Sequence, residues 1–149
     1  MIITGVDEAG RGCVIGPMVI CAASIEEKNL HRLEKIGLKD SKKLSQKRRL
    51  ELIKPLAALL KDWKLAVVEP EEVDRAVYKK GLNRLEIRKM AELISESKPY
   101  VAYVDALSSA AERFKKQLSD EISGIEGMKT SVQLVAENRA DSRYPVVMA

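Results

Sequence analysis

The sequence has one histidine, two cysteines and six aromatic residues in 149 positions, and each scarcity closes a route. His31 is the lone imidazole and lies in a polar, helix-like stretch, so it reads as a surface residue. A serine–histidine pair or a histidine general base is therefore unavailable. Cys13 and Cys21 form no Cys-x-x-Cys motif and no Cys/His cluster, which removes a zinc site. On one extended strand they would stand roughly 26 Å apart, beyond disulfide reach, so both are expected as reduced thiols of a cytoplasmic protein. Trp63, Tyr78, Tyr100, Tyr103, Phe114 and Tyr144 are too few for an aromatic platform that stacks single-stranded bases. No apolar run approaches the ~18–20 residues that cross a bilayer. The first strand-like stretch starts at Ile2 without a basic n-region or cleavage site, so no secretory leader is expected. Carboxylates are the catalytic groups that remain.

What is present suits one globular α/β domain: 46% hydrophobic and 32% charged residues, without internal repeats or low-complexity segments. The net charge is +4, but the stretch from Lys28 to Lys54 alone carries +7 and the remainder −3. That concentration suggests a polyanionic partner, nucleic acid before membrane, although a basic run can equally be a solvated helix face.

Ile2–Val6 reads as a buried strand ending at Asp7-Glu8 and the turn Ala9-Gly10-Arg11-Gly12. A second strand-like run, Val14 to Ser24, is interrupted by Gly16-Pro17. Ser45 is a plausible N-cap for a helix over Lys47–Lys61, which Pro55 should kink or break into two. Lys64–Val68 reads as a strand, and Glu69-Pro70-Glu71-Glu72 opens a helix. Leu82–Ser95 has amphipathic helical spacing. Tyr100–Val104 reads as a strand, Ser108 or Ser109 as the cap of a helix towards Ile122, and Ser131–Ala136 as the last strand. Strands come first, then helices alternate with strands, which predicts a mixed sheet with helices on its faces.

Three acidic positions share a context. Asp7-Glu8 ends the first strand, Asp105 ends the Tyr100–Val104 strand, and Asp141 follows the last strand. Loops at strand ends are where ligands bind in sheets of this kind. Any single loop acid is more often solvated or a cap; the joint pattern is more informative. Neighbours in a regular strand point to opposite faces, so Asp7 and Glu8 are expected to reach one site through the irregular glycine turn. Clustered carboxylates raise one another's pKa. A hard divalent cation removes that penalty, as Mg²⁺ takes oxygen ligands while keeping waters and phosphate oxygens. Such a cluster suits two-metal phosphoryl chemistry.

Asp7-Glu8-Ala9-Gly10-Arg11-Gly12, followed by Gly16-Pro17, resembles the N-terminal signature of type 2 ribonuclease H (ribonuclease HII). Leu38-Lys39-Asp40-Ser41-Lys42-Lys43-Leu44 is similar to the family's Asp-Ser-Lys motif, and Asn83 with Glu86 to its following helix. Tyr103-Val104-Asp105-Ala106 matches the third acid. Ala140-Asp141 with Tyr144-Pro145-Val146-Val147 matches the fourth. The immediate start at the first strand is most like archaeal members.

The resemblance implies a ribonuclease H-like fold over residues 1–149, a central mixed sheet flanked by helices. It implies that Asp7, Glu8, Asp105 and Asp141 hold Mg²⁺ or Mn²⁺ and carry catalysis. The implied substrates are RNA–DNA hybrids and duplex DNA with embedded ribonucleotides, cut on the 5′ side to leave 3′-hydroxyl and 5′-phosphate ends. Gly10-Arg11-Gly12 would read the ribose 2′-OH through backbone groups, with Arg11 adding a phosphate contact. Lys42, with Lys43 and Lys47 nearby, would grip the phosphate backbone. A monomer is implied, with no membrane contact; whether a sliding clamp is a further partner is not readable in the sequence.

Two departures stand out. Cys13 occupies the place where the family usually has proline. The chain also ends on the apolar run Tyr144–Ala149 and reads as cut within an element, without the family's C-terminal helical region and its sugar-stacking tyrosine. The competing expectation is therefore a nucleic-acid- or metal-binding core with little turnover.

Overall fold

The computed structural model describes residues 1–12, 15–38, 44–106, 110–125 and 132–148. Five strands form one sheet: β1 (Ile2–Ala9), β2 (Met18–Glu26), β3 (Asp62–Val68), β4 (Val101–Asp105) and β5 (Gln133–Glu137). Their spatial order is β3-β2-β1-β4-β5. The β1–β2 and β2–β3 pairs are antiparallel, whereas β1–β4 and β4–β5 are parallel. The expected mixed α/β sheet is present. Parallel pairs require crossovers, and helices supply them: α3 (Pro70–Tyr78) and α4 (Leu82–Ser97) before β4, and α5 (Ala111–Gly124) before β5.

Each sheet face buries its own core. On one, Val6, Ile20, Ala22, Ala102 and Val104 pack with Leu85, Met90 and Ile94 of α4 and Phe114 and Leu118 of α5. On the other, Ile3 and Ile25 pack with Leu33 of α1 (Leu30–Lys35) and with Val146 and Val147 of α6 (Pro145–Met148). Leu56 and Leu59 of α2 (Gln46–Leu59) rest on that second cluster. Gly5 makes the close packing of α6 possible: a Cβ there would stand 2.0 Å from the Val146 carbonyl oxygen. Only a residue without a side chain fits so near another backbone.

Several boundaries differ from expectation. β1 runs on through Asp7 and Glu8 to Ala9, because β2 pairs with it over its whole length, Ile2 with Glu26 through Ala9 with Val19. β3 begins two residues early for the same reason, Asp62 being paired with Ser24. Ser45 caps α2 as expected, its Oγ accepting the Arg48 N–H at 3.2 Å. Pro55, however, lies inside α2 without ending it. It removes one backbone bond on an exposed turn, where water can take the orphaned carbonyl. α5 is preceded by Ala110, with no side-chain cap; Ser108 and Ser109 lie outside the described residues. His31 is exposed on α1, as the polar stretch suggested.

Candidate active site

β1, β4 and β5 run parallel, so their C-terminal ends share one sheet edge, and the acids gather there. Asp7 and Glu8 immediately precede the last residue of β1, Asp105 is the last residue of β4, and Asp141 sits in a 3-10 turn, Ala140–Ser142, just after β5. Val6 is paired with Val104, which sets Asp7 beside Asp105. The Asp105 Oδ1 accepts the Ala140 N–H at 2.8 Å, tying the Asp141 turn to the end of β4. The same turn is held from behind. The Glu137 carboxylate accepts the Tyr144 hydroxyl at 2.9 Å and Arg143 Nη1 at 2.8 Å, and the Tyr144 ring lies 4.5 Å from that of Tyr103. Glu137 had no motif to mark it; its role depends on a residue seven positions later folding back.

The expectation that Asp7 and Glu8 leave the strand before reaching a common site is corrected. Both are laddered, opposite Cys21 and Ile20. Alternation then divides them. Asp7 shares its face with Ile3 and Tyr103 in the α6-side cluster, while Glu8 follows Val6 on the α4 side. They stay coupled across the sheet edge, because the Glu8 N–H donates to Asp7 Oδ1 at 2.8 Å.

Burial raises the Asp7 carboxyl from 3.8 to about 7, with Glu8, Asp105 and Asp141 adding repulsion against the Glu8 N–H bond that lowers it. Burial likewise raises Glu8, followed by repulsion from Glu86; Asp105 repels it further and Arg11 opposes. Among the described residues the Glu8 Oε2 is buried without a hydrogen-bond partner. A buried carboxylate oxygen without a donor is costly, and a hard cation is the kind of group that would satisfy it. Among the described residues no three acids stand close enough to enclose an ion together. Mg²⁺ does not need such a cage, since it commonly takes one or two carboxylates and fills its octahedron with water and phosphate. One or two of these carboxylates, Glu8 with its unsatisfied oxygen among them, would fit such a cation as an open, partly hydrated site.

Beside the acids, the glycine turn is pinned. Gly10 has φ +88°, and a Cβ there would meet the Pro17 carbonyl oxygen at 2.6 Å. At Gly12 nothing described lies within 4 Å of a would-be Cβ, so its backbone faces open space. The Arg11 side chain turns inward. Its Nε stands 2.7 Å from Glu86 Oε1, and its Nη2 donates to Asn83 Oδ1, both partners being on α4. The Glu86 side chain is 0% exposed and that of Arg11 34%. The Arg11–Glu86 contact is close in distance but poorly aligned as a hydrogen bond, and Glu86 Oε2 has no partner. Burial accordingly raises the Glu86 carboxyl, although the neighbouring guanidinium pulls the other way. Glu86 matched the family helix, but only the fold shows that it anchors Arg11.

Removing the cation from such a pair leaves a buried acid uncompensated, facing Glu8 as well. Arg11→Ala should cost about 2–4 kcal/mol, read as a lower thermal midpoint. Adding Glu86→Gln should recover part of that loss, because the stranded charge disappears. A double variant no more stable than the single one would show that the pair is not coupled.

The lysines are less connected. Lys47 sits in the exposed first turn of α2, in a shallow hollow with Gln46, Leu50, Glu51 and Lys54. Lys42, Lys43 and Cys13 lie outside the described residues. Cys21 is a free thiol, pushed up by burial and by Asp7 across the strand pair.

Comparison with known proteins points the same way. The family model for ribonuclease HII matches residues 4–149. A curated ribonuclease HII from Methanocella arvoryzae is 46% identical over 99% of this chain and 63% of its own length. The ribonuclease H2 structure from Pyrococcus horikoshii superposes with a TM-score of 0.86 at 37% identity, covering 99% of this chain and 67% of that one. The ribonuclease HII of Archaeoglobus fulgidus, solved in complex with PCNA, gives 0.85 at 36%, covering 99% and 68%. The chain spans about three fifths of the length of the curated relatives it matches, 63% and 61% for the first two.

Proposed function

Because this chain belongs to the ribonuclease HII family, with that family's ribonuclease H-like fold, we propose that it is the catalytic core of a metal-dependent endoribonuclease. It hydrolyses the RNA strand of RNA–DNA hybrids and nicks duplex DNA on the 5′ side of embedded ribonucleotides, leaving 3′-hydroxyl and 5′-phosphate ends. The observation that carries the reading is the convergence of Asp7, Glu8, Asp105 and Asp141 on one sheet edge, with a Glu8 oxygen buried and unsatisfied.

The chain's own residues prepare the site. Asp7 and Asp105 present carboxylates from the same sheet face, and Glu8 presents one from the opposite side of the edge. The Ala140 N–H fixes Asp105 and the Asp141 turn together. Two Mg²⁺ or Mn²⁺ ions, when bound, would stabilise the charge that builds on the phosphoryl oxygens and activate the attacking water. The Gly10-Arg11-Gly12 turn discriminates the sugar: the open backbone at Gly12 admits a ribose, and the 2′-OH is the group that separates RNA from DNA. Arg11 acts here by holding the turn to α4, with its guanidinium committed to Glu86 and Asn83. A sliding clamp is the protein partner suggested by the Archaeoglobus fulgidus complex.

The test is cleavage by this chain, with Mg²⁺ or Mn²⁺, of a DNA duplex carrying one ribonucleotide, beside the all-DNA duplex. A single nick 5′ of the ribonucleotide and none in the control is expected. Binding without turnover would favour the core that grips nucleic acid or metal but does not cut. Equal cutting of both duplexes would remove the proposed specificity.

A further inference from the structure

A concentration of cation charge on the α4 side of the sheet lies outside the basic segment that the sequence advertises. Two adjoining hollows of about 610 and 640 Å³ run between α3, α4 and α5, and they share Gly81, Arg84 and Glu121. Arg75 and Lys79 line one, Lys80 and Arg113 line the other, and Arg84 lines both. All five are exposed. Among the described residues none of the five forms an ion pair; Arg88 does, with Glu72 at 3.6 Å and Glu92 at 3.9 Å. The acids that line the groove are Glu72, which pairs with Arg88, and Asp120 and Glu121, which stand about two turns along α5 from Arg113, so cations outnumber acids at the end near Asn83.

The backbone fixes where Lys80 stands. The end of α3 is a Schellman closure: the Gly81 N–H donates to the Ala76 carbonyl at 2.8 Å and the Lys80 N–H to that of Val77 at 2.9 Å. The residue in the left-handed position of that motif is usually glycine. Here it is Lys80, at φ 53°, with the glycine one place later.

The groove also joins the candidate active site. Asn83 lines it, and the same Asn83 Oδ1 accepts from Arg11 of the glycine turn. We infer that the groove between α3, α4 and α5 binds the phosphate backbone of the duplex that flanks the cleavage point, with Lys80, Arg84 and Arg113 as its main contacts. The inference rests on the nuclease reading above and extends it by a second binding face. Exposed, unpaired cations along a groove neutralise phosphates and release counterions, which makes binding salt-dependent.

Anisotropy of a labelled RNA–DNA hybrid, titrated without divalent cation over a range of salt, tests it. Each lost phosphate contact should lower the log–log salt slope by ~0.9. The triple variant Lys80→Ala, Arg84→Ala, Arg113→Ala should therefore lose about two to three units of slope and bind at least ~10-fold more weakly at low salt. Its thermal midpoint should stay within a few degrees of the unmodified chain, since all three side chains are exposed. Lys80→Gly separates charge from structure: it should hold or raise the midpoint while weakening binding. An unmodified chain that binds the hybrid, beside a triple variant of equal affinity and slope, overturns the groove and leaves the nuclease reading standing. Weaker binding with an unchanged slope overturns it too, since phosphate contacts would not be what was lost. An unmodified chain that does not bind the hybrid at all overturns the nuclease reading and the groove together.

Discussion

Asparagine in place of Asp105 is expected to remove cleavage, by ~10³-fold or more, without unfolding the chain. The two side chains have the same shape, and an asparagine Oδ1 can still accept the Ala140 N–H that ties down the Asp141 turn. What disappears is one negative charge at the edge proposed to hold a cation. The same substitution should change how stability responds to pH in the absence of metal. Burial, with the neighbouring acids, raises the Asp7 carboxyl to about 7 in the folded chain, against 3.8 for the free group. A folded-state pKa above the unfolded one means that the folded form holds the proton more tightly. The associated stability is present in full below about pH 4 and is lost as pH rises through about 7. Chelator-treated protein should thus melt at falling temperature across that window. Asp105→Asn should flatten the fall, because one of the charges that repels ionised Asp7 is gone. A variant that cuts at the unmodified rate would show that Asp105 is not a catalytic acid.

The second large effect is expected at a position with no polar chemistry at all. Gly5→Ala places a Cβ 2.0 Å from the Val146 carbonyl oxygen and 2.7 Å from the Val147 nitrogen. Both are backbone atoms, so no rotamer change relieves the clash; α6 must move off β1. Overpacking of this kind costs on the order of 3 kcal/mol, which for a chain of this size lowers the thermal midpoint by roughly 10 °C. The damage should reach the site as well. α6 follows directly on the turn that carries Asp141, and the Val147 N–H donates to the Tyr144 carbonyl at 2.9 Å. A displacement of ~1 Å at a catalytic group is enough for ~10²-fold in rate. Melting and nicking assays should show both losses together. A Gly5→Ala chain with unchanged melting would mean that α6 can be displaced without cost.

These two positions show where sequence and structure divide the information. Asp105 was legible in advance because it belongs to a local pattern: an apolar strand, an acid at its end, and a matching family motif. Gly5 was not, since a glycine inside Ile2-Ile3-Thr4-Gly5-Val6 says nothing about which backbone will approach it. Asp7 and Glu8 lie between these cases. Their identity and neighbourhood were readable, but their separation onto two faces was not, because it depends on how far β2 keeps pairing along β1.

The sequence by itself determined the mixed α/β character, the family, and the four acids with their glycine turn. Such features are written in contiguous residues: periodicity, strand-end acids and short motifs all have ranges of a few positions. Tertiary structure decided that Arg11 faces Glu86 and Asn83, more than seventy positions away, and that Glu137 holds the Asp141 turn. It also gathered Arg75, Lys79, Lys80, Arg84 and Arg113 into one groove. Arg75, Lys79, Lys80 and Arg84 do share one acid-free stretch of sequence, but Arg113 joins them only because α5 packs beside α4. Charge adds along the chain irrespective of direction, but a partner meets only the side chains that one face presents, and the packing of α3, α4 and α5 selects that face.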